Sequence, residues 1–439
     1  MLMAVGLQME QWEVTLLSNL MNTSIKTTPQ ERKLGFRVLF LGMFAIGTGQ
    51  TLFIAVLPPY ARGLGLTEVQ VGFIFSLSAL GWMLMSPFWG KKSDYLGRKS
   101  IIILGLIIYS ITTILMGVEF RLNELGVINL STLFGLLILT RGCYGFLGSG
   151  AHSASMAYVA DRTTEKERSG VMAVMGSAFA ISGIVGPGLA SAAVLLGPLV
   201  PYFLFGGITG FIALLIFIYL PEKTKPIRPA KVHEARLTPF DSRVISFALM
   251  GLCISQTSAV VMQILSLYLQ DKFNYSNTEA SVYTGTMLIF TGIATLIVQL
   301  GIIRRISPTP SILLRLGSIA TIMSLFLIII SNGLYLTGLA MAVYGVGGAL
   351  MGPGLFTGLS LAVGRDEQGA AAGILVSSYA AGFLINPLTG MQLFIWNSNS
   401  PYYLAIVLMF ICLGIAIFDK RLNKVVEYDE NAEFTNPNS

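Results

Sequence analysis

The chain has 439 residues, 54% of them hydrophobic and 11% charged, and its mean hydropathy of +0.72 lies far from that of a soluble domain of this length. This excludes a soluble enzyme and predicts an integral membrane protein. The formal net charge of +6 comes from Lys and Arg scattered over short segments without a nucleic-acid motif, so it reports membrane topology and excludes a nucleic-acid-binding role.

Residues 1–35 form an amino-terminal tail that lacks the basic start, short apolar core and cleavage site of a signal peptide, and Met21 is an alternative start. No function is assigned to it. Apolar stretches long enough to cross about 30 Å of hydrocarbon follow near 36–57, 71–89, 100–118, 131–159, 170–194, 201–220, 244–269, 280–300, 311–330, 334–361, 370–396 and 401–418. The pattern predicts an all-α membrane protein of twelve transmembrane helices. Arg62, Arg121 and Lys272 lie in odd-numbered connections and Arg141 lies inside a span. Every other Lys and Arg falls in a tail, in an even-numbered connection or at a span end adjoining one. Loops near the spans retain positive charge on the inside, so both termini are expected in the cytoplasm, with the chain in a bacterial inner (plasma) membrane.

The spans divide into bundles at 36–220 and 244–418, joined by a basic linker, 221–243, with prolines at Pro221, Pro226, Pro229 and Pro239. A second tail occupies 419–439. The halves repeat one another: Tyr144, Gly145, Gly148 and Pro187 have the spacing of Tyr344, Gly345, Gly348 and Pro387. Gln50-Thr51 matches Gln256-Thr257, while Thr67-Glu68 and Gly90 match Thr278-Glu279 and Gly301. Two homologous six-helix bundles facing one another place a site at their junction near the midplane. Cys143, Cys253 and Cys412 fall in spans without disulfide or metal-ligand spacing and read as packing residues. No cofactor is expected.

Between the second and third spans stands Gly90-Lys-Lys-Ser-Asp94-Tyr-Leu-Gly97-Arg98-Lys99. Gly90 and Gly97 permit a tight turn, Asp94 can meet the positive end of a neighbouring helix, and Arg98 would then pair with another acid. The string resembles the G-x-x-x-D-x-x-G-R-K signature of the major facilitator superfamily at every fixed position. That resemblance implies two pseudo-symmetric six-helix bundles, a transport function, and Asp161 as the partner of Arg98. Gly90, Asp94, Gly97, Arg98, Lys99 and Asp161 would then form an electrostatic latch between helix ends, against the plainer reading of a basic topology loop. The matching loop of the second half, Gly301-Ile-Ile-Arg304-Arg305, lacks the aspartate, so an asymmetric latch is expected.

Arg141-Gly-Cys-Tyr-Gly145 resembles the R-x-x-x-G signature of the same superfamily. Gly186-Pro187, with Glu167-Arg168-Ser-Gly170 and Leu220-Pro221-Glu222, resembles its twelve-helix drug/proton antiporter branch, although Ser182 and Ala190 replace glycines of the fuller pattern. The resemblance covers roughly residues 36 to 418. It implies that the bend at Pro187 limits leakage between helices. The eleventh span repeats the pattern at Asn386-Pro387.

An arginine near the bilayer midplane costs about 2.5 to 3.5 kcal/mol on insertion scales, which favours a task for Arg141 over packing. At about 100° per residue, Arg141, Gly145, Gly148, His152 and Ser155 fall within roughly 40° of one line. Arg141 is read as attracting an anionic group or holding a protonation-sensitive network. His152 is read either as a proton carrier or as a neutral, hydrogen-bonded histidine. Gln50, Gln256, Gln263 and Asn386 supply uncharged polar groups that either contact substrate or bond between helices. Every Asp and Glu is placed in a tail, a connection or a span end. That lowers the expectation of cation export and raises that of a neutral, zwitterionic or anionic cargo such as a siderophore.

These features predict a monomeric secondary transporter of a small organic solute, working by alternating access and driven by inward proton movement as an exporter. A symporter or facilitator importing an organic anion is the rival. A polytopic enzyme would need a coherent set of His, Asp, Ser or Cys residues at one membrane face, which the sequence lacks. A receptor would bind without moving its ligand.

Overall fold

The computed structural model describes residues 29–163, 165–222, 237–303, 308–364 and 367–419. The first part of the amino-terminal tail, most of the linker, Arg304, Arg305, the carboxyl-terminal tail beyond Asp419 and the side chains of Glu167-Arg168-Ser169 lie outside the described residues. Helices cross the molecule alternately in the order α1 (Pro29–Gly63), α2 (Glu68–Leu96), α3 (Arg98–Glu124), α4 (Leu130–Ala160), α5 (Glu165–Val194) and α6 (Val200–Tyr219). The second half continues with α7 (Ile245–Phe273), α8 (Asn277–Ile297, extended by a wider turn Val298–Ile303), α9 (Pro310–Ile330) and α10 (Leu334–Ala362). It ends with α11 (Gln368–Ile385, resuming at Gly390–Trp396) and α12 (Ser400–Phe418). Eleven of these crossings are long and apolar enough to span a membrane by length and composition; in α5 the apolar part with described side chains is Ile181–Val194.

The helices begin where the sequence supplies caps. Thr67 accepts from the backbone of Gln70, whose side chain returns to the Thr67 backbone, and Ser276 and Glu279 make the same reciprocal box for α8. The repeat therefore aligns Thr67 with Ser276, not with Thr278. Asn129 caps α4, and Thr309 caps α9 with Pro310 behind it.

Each half builds its own core. In the first half one cluster lies toward the end holding Tyr60 and another around Leu39, Tyr158 and Ile216; the second half is held by one large cluster from Val244 to Ala416. Helices α3, α6, α9 and α12 leave apolar stripes exposed, among them Ile111 and Leu115, Phe211 and Leu214, Ile319 and Met323, and Val407 and Phe410. Those stripes lie on the surface that hydrocarbon covers. Small residues bring helices together from both halves: Gly72 of α2 lies against Pro387, and Gly285 of α8 lies against the Pro187 carbonyl and Ser191 of α5. The ends of the bundle are called here the terminal face, where α1 begins and α12 ends, and the far face, where α1 meets α2.

The predicted span edges fall short in one place that matters. The third span was expected to stop at 118, where charge begins, but α3 runs on to Glu124 and takes Glu119 inside the bundle. Glu119 is 7% exposed and accepts a hydrogen bond from the Thr140 hydroxyl. Glu119 thus lies near a span end but is enclosed between helices, which the sequence did not predict. Apolar windows end at the first charge, whereas a helix continues while its backbone and a buried partner support it.

Candidate functional site

The site is built around Arg141, which α4 carries inward at its fourth turn and which is 3% exposed. Its Nη2 donates to Gln50 Oε1 of α1 at 2.9 Å, and Gln50 Nε2 in turn donates to the Tyr144 hydroxyl at 2.5 Å. The guanidinium lies 3.8 Å from the Phe53 ring centroid and 5.0 Å from that of Tyr144. No carboxylate among the described residues pairs with it, and its Nε is buried without an acceptor. Aromatic faces and one amide therefore offset part of the cost of burying the cation, and a donor stays available.

A cavity of about 360 Å³ opens beside it, lined by Gln50, Phe75, Trp82 and Arg141 from the first half and by Gln263 and Phe383 from the second. A second space of about 250 Å³ lies between α1, α5, α7 and α8 and includes Thr51, Pro187 and Gln299; Ile54 borders both. Among the described residues no group of three His, Cys, Asp or Glu is placed to hold a metal ion.

The single polar stripe expected on α4 is broken. Residues Tyr144–Gly148 form a wider π-type turn, so the projection at 100° per residue loses phase between Arg141 and His152. Gly145 packs on the main chain of Ser78 in α2, Gly148 packs on the Tyr144 ring and near the Gly105 carbonyl of α3, and Ser155 is buried. The His152 ring lies 6.2 Å from that of Trp82, a cavity residue. The helix changes its hydrogen-bond register at Tyr144, three residues after Arg141.

In the second half the amides bond between helices. Gln256 Nε2 donates to Asn386 Oδ1 at 3.1 Å and to Thr389 Oγ1 at 2.8 Å, and Asn386 Nδ2 donates to Gln263 Oε1 at 2.9 Å. Of these, Gln263 also reaches the cavity. The network spans the point where Pro387 interrupts α11 with a 3-10 turn, Asn386–Leu388. Pro187 instead sits within a continuous α5, where Gly186 lies so close to Thr48 and Thr51 of α1 that a side chain has no room. The two proline motifs match in sequence but differ in shape, a break in α11 and an uninterrupted α5.

At the terminal face Arg98 gathers the loop. It pairs with Asp94, its Nε donates to Asp161 Oδ2 at 3.0 Å, and its Nη1 donates to Ser93 Oγ at 2.5 Å and the Gly90 carbonyl at 3.3 Å. Gly97 has φ 93°, a conformation that suits glycine. The acid at the amino end of α3 is not Asp94: Glu222 Oε1 accepts from the Lys99 backbone N–H at 3.1 Å, and its carboxylate fills the space beside Gly97. The Lys99 ammonium lies 5.5 Å from the Phe217 ring centroid. Glu222 was singled out in the sequence only as part of a family string. Its contact arises because α6 returns to the start of α3.

The second half has a cluster of its own on this face, assembled from residues the sequence did not bring together. Arg243 donates to both oxygens of Glu367 at 2.7 and 2.9 Å and pairs with Asp241 at 2.9 Å. Arg243 holds the carboxyls of Glu367 and Asp241 below the ordinary carboxylate range through these side-chain hydrogen bonds, while both raise the guanidinium.

At the far face the halves are joined. Arg62 Nη1 lies 2.5 Å from Asp271 Oδ1 and Arg62 Nε 3.0 Å from Glu68 Oε1. Deeper in, the Ser76 hydroxyl donates to the Leu384 carbonyl at 3.0 Å and Ser191 to the Ser281 carbonyl at 3.0 Å. The other basic residues of this face cap or pair locally. Arg121 meets Glu124 at 2.9 Å, and Lys272 donates to the Ile329 carbonyl at 2.6 Å at the end of α9.

Two six-helix halves that border a largely apolar cavity holding a few polar groups, Arg141, Gln50 and Gln263 among them, within a membrane-length bundle define a transporter, not an enzyme. The family model of the Major Facilitator Superfamily matches residues 39–387, and the chain belongs to that superfamily. Quinolone resistance protein NorA of Staphylococcus aureus (strain MSSA476) is 26% identical over 387 residues, 88% of this chain and 96% of that protein. Multidrug resistance protein 2 of Bacillus subtilis (strain 168) is 26% identical over 414 residues, 90% of this chain and 97% of its own length. In fold the chain matches a bacterial homolog to the human lysosomal transporter Spinster in an inward-facing, occupied conformation, with TM-score 0.67 at 14% identity over 90% of this chain and 94% of that one. It likewise matches a bacterial homologue of the iron transporter ferroportin in an inward-facing state, with TM-score 0.67 at 16% identity over 91% and 100%.

Proposed function

We propose that this chain exports small drug-like organic solutes from bacterial cells by proton-coupled alternating access. The observation that carries the reading is the cavity shared by Arg141, Gln50 and Gln263, bordered by both halves and closed off beyond it by Arg62–Asp271. The two bacterial relatives are named for quinolone resistance and multidrug resistance, which supports drug export. The distribution of Lys and Arg supports a cytoplasmic terminal face, so far-face contacts between the halves correspond to a conformation closed to the outside. Each half, 36–220 and 244–418, moves as a unit with its own core, and the linker 221–243 lies in the cytoplasm. The protein works as a monomer, because one chain supplies both walls of the cavity.

In this reading Arg141, Gln50 and Gln263 contact cargo. Gln256 and Asn386 hold the break in α11, and His152 beside Trp82 responds to the state of the cavity. Asp94, Arg98 and Asp161 set the conformational balance at the terminal face, and Gly186-Pro187 with Pro387 shape the paired helices. A second cargo class, a carboxylate-bearing metabolite such as a siderophore, is favoured by the absence of an acidic partner at Arg141 among the described residues. Flux of a fluorescent cation and of a fluorescent carboxylate in vesicles, with imposed pH gradients of both signs, tests the proposal. Accumulation of either dye on the acidic side supports proton exchange, and movement indifferent to the gradient overturns it.

A further inference from the structure

Glu119 lies five residues from the far end of α3, about 8 Å at 1.5 Å per residue, with its side chain turned toward α4. Oε1 accepts from Thr140; Oε2 is buried and has no hydrogen-bond partner. Among the described residues no basic side chain pairs with it. None of the ionisable groups around it bonds to it, although the Tyr202 hydroxyl is buried without a partner of its own. Arg141, next to Thr140 on α4, points to Gln50 and Phe53. Tyr202 of α6 and Tyr60 of α1 pack on the neighbouring Phe120, with ring centroids 5.4 and 5.0 Å away, and Tyr60 donates to Glu124 at 2.5 Å. Arg121, the next residue but one, pairs with that same Glu124.

A carboxylate buried between helices without a cation costs several kcal/mol. A carboxylic acid removes the charge and turns one bare oxygen into a donor. Ionised, the group would instead need water at the bare oxygen.

We infer that Glu119 is a proton-binding site, in which the carboxylate takes up one proton to become the neutral acid. Thr140 links that site to the cavity, because it holds Oε1 and directly precedes Arg141 on α4. The inference deepens the proton-coupled reading above and rests on it for its role in transport.

The test uses the full chain in proteoliposomes. Dicyclohexylcarbodiimide modifies protonated carboxyls in apolar surroundings, and peptide mass spectrometry locates the adduct. Labelling at Glu119 is expected, falling about tenfold for each pH unit above the titration midpoint of the site. Glu119→Gln preserves shape. It is expected to lose accumulation of ethidium driven by a pH gradient at least tenfold while retaining ethidium–ethidium exchange, and Glu119→Asp is expected to restore coupling. Labelling no greater than in Glu119→Gln at any pH overturns the site, as does a Glu119→Gln protein driven by the gradient as well as the unaltered one. If the unaltered protein ignores the gradient, the coupled-export reading falls, and the labelling profile alone decides whether Glu119 binds a proton.

Discussion

Arg62 and Asp271 hold equivalent positions when counted back from the next helix, each five residues before its capping residue, Thr67 and Ser276, and they meet across the junction as an ion pair of 2.5 Å. A repeat that kept one charge at both positions would repel itself there. Opposite charges at one repeat position let the pseudo-twofold arrangement close its far face, with Glu68 adding a second acceptor at 3.0 Å.

Arg62→Asp and Asp271→Arg are each expected to shift the balance away from far-face closure, and the double reversal to restore it. Both side chains are about a third exposed, so solvent screens the pair. Exposed pairs contribute about 0.2 to 1 kcal/mol, which corresponds to a change of up to about fivefold in the equilibrium. Distances between spin labels at the far ends of α1 and α7 read the shift. Equal distributions in all four proteins would remove this contact from the gate.

Arg141→Ala should weaken binding of the transported dye by about ten- to a hundredfold, the scale of losing a hydrogen bond of about 1.5 to 3 kcal/mol to a charged group. Arg141→Lys should not restore it, because an ammonium lacks the planar face that lies over Phe53. Equilibrium dye binding in detergent separates this from folding losses when both variants elute as the unaltered protein does.

Asp94→Asn removes one partner of Arg98 while leaving Asp161 at 3.0 Å. The expected outcome is altered accessibility of cavity residues to thiol reagents with dye affinity changed less than about twofold, since the latch is remote from Arg141 and an exposed pair contributes at most about 1 kcal/mol. A selective loss of affinity would place Asp94 in the cargo path instead.

Glu367 and Asp241 are held below the usual carboxylate range by Arg243. A depressed acid contributes stability above its unfolded pKa and loses it as pH falls through the folded pKa. The clamp is therefore intact at neutral pH and opens only in acid, below the ordinary range near 4. Any pH dependence of transport near neutrality should survive Glu367→Gln, whereas loss of that dependence would assign it to this cluster.

Gly345→Ala should fold poorly and Gly348→Ala normally. A Cβ on Gly345 would meet the Thr291 carbonyl at 2.2 Å, whereas Gly348 has open space. Crowding of this kind costs about 1 to 3 kcal/mol. Thermal denaturation of the two purified proteins checks the contrast.

The same pair shows where the sequence stops being informative. Both glycines repeat those of the first half, and repetition marked them equally. Only the approach of α8 to α10 separates the one that a main chain presses on from the one that nothing touches.

Much of the architecture was nonetheless legible. Hydropathy has the length of a membrane crossing, basic residues sort by side, and the loop from Gly90 to Lys99 carries the charges that meet Asp161. These are local or topological properties, fixed by burial of backbone polar groups and by charge near the spans. The tertiary structure decided what depends on long-range approach. It set Glu222 and not Asp94 at the start of α3, joined Gln256 and Gln263 through Asn386, paired Arg243 with Glu367, and enclosed Glu119 against Thr140. Each of these contacts closes a gap of many residues, and a one-dimensional pattern cannot specify which distant atoms will share a desolvated space.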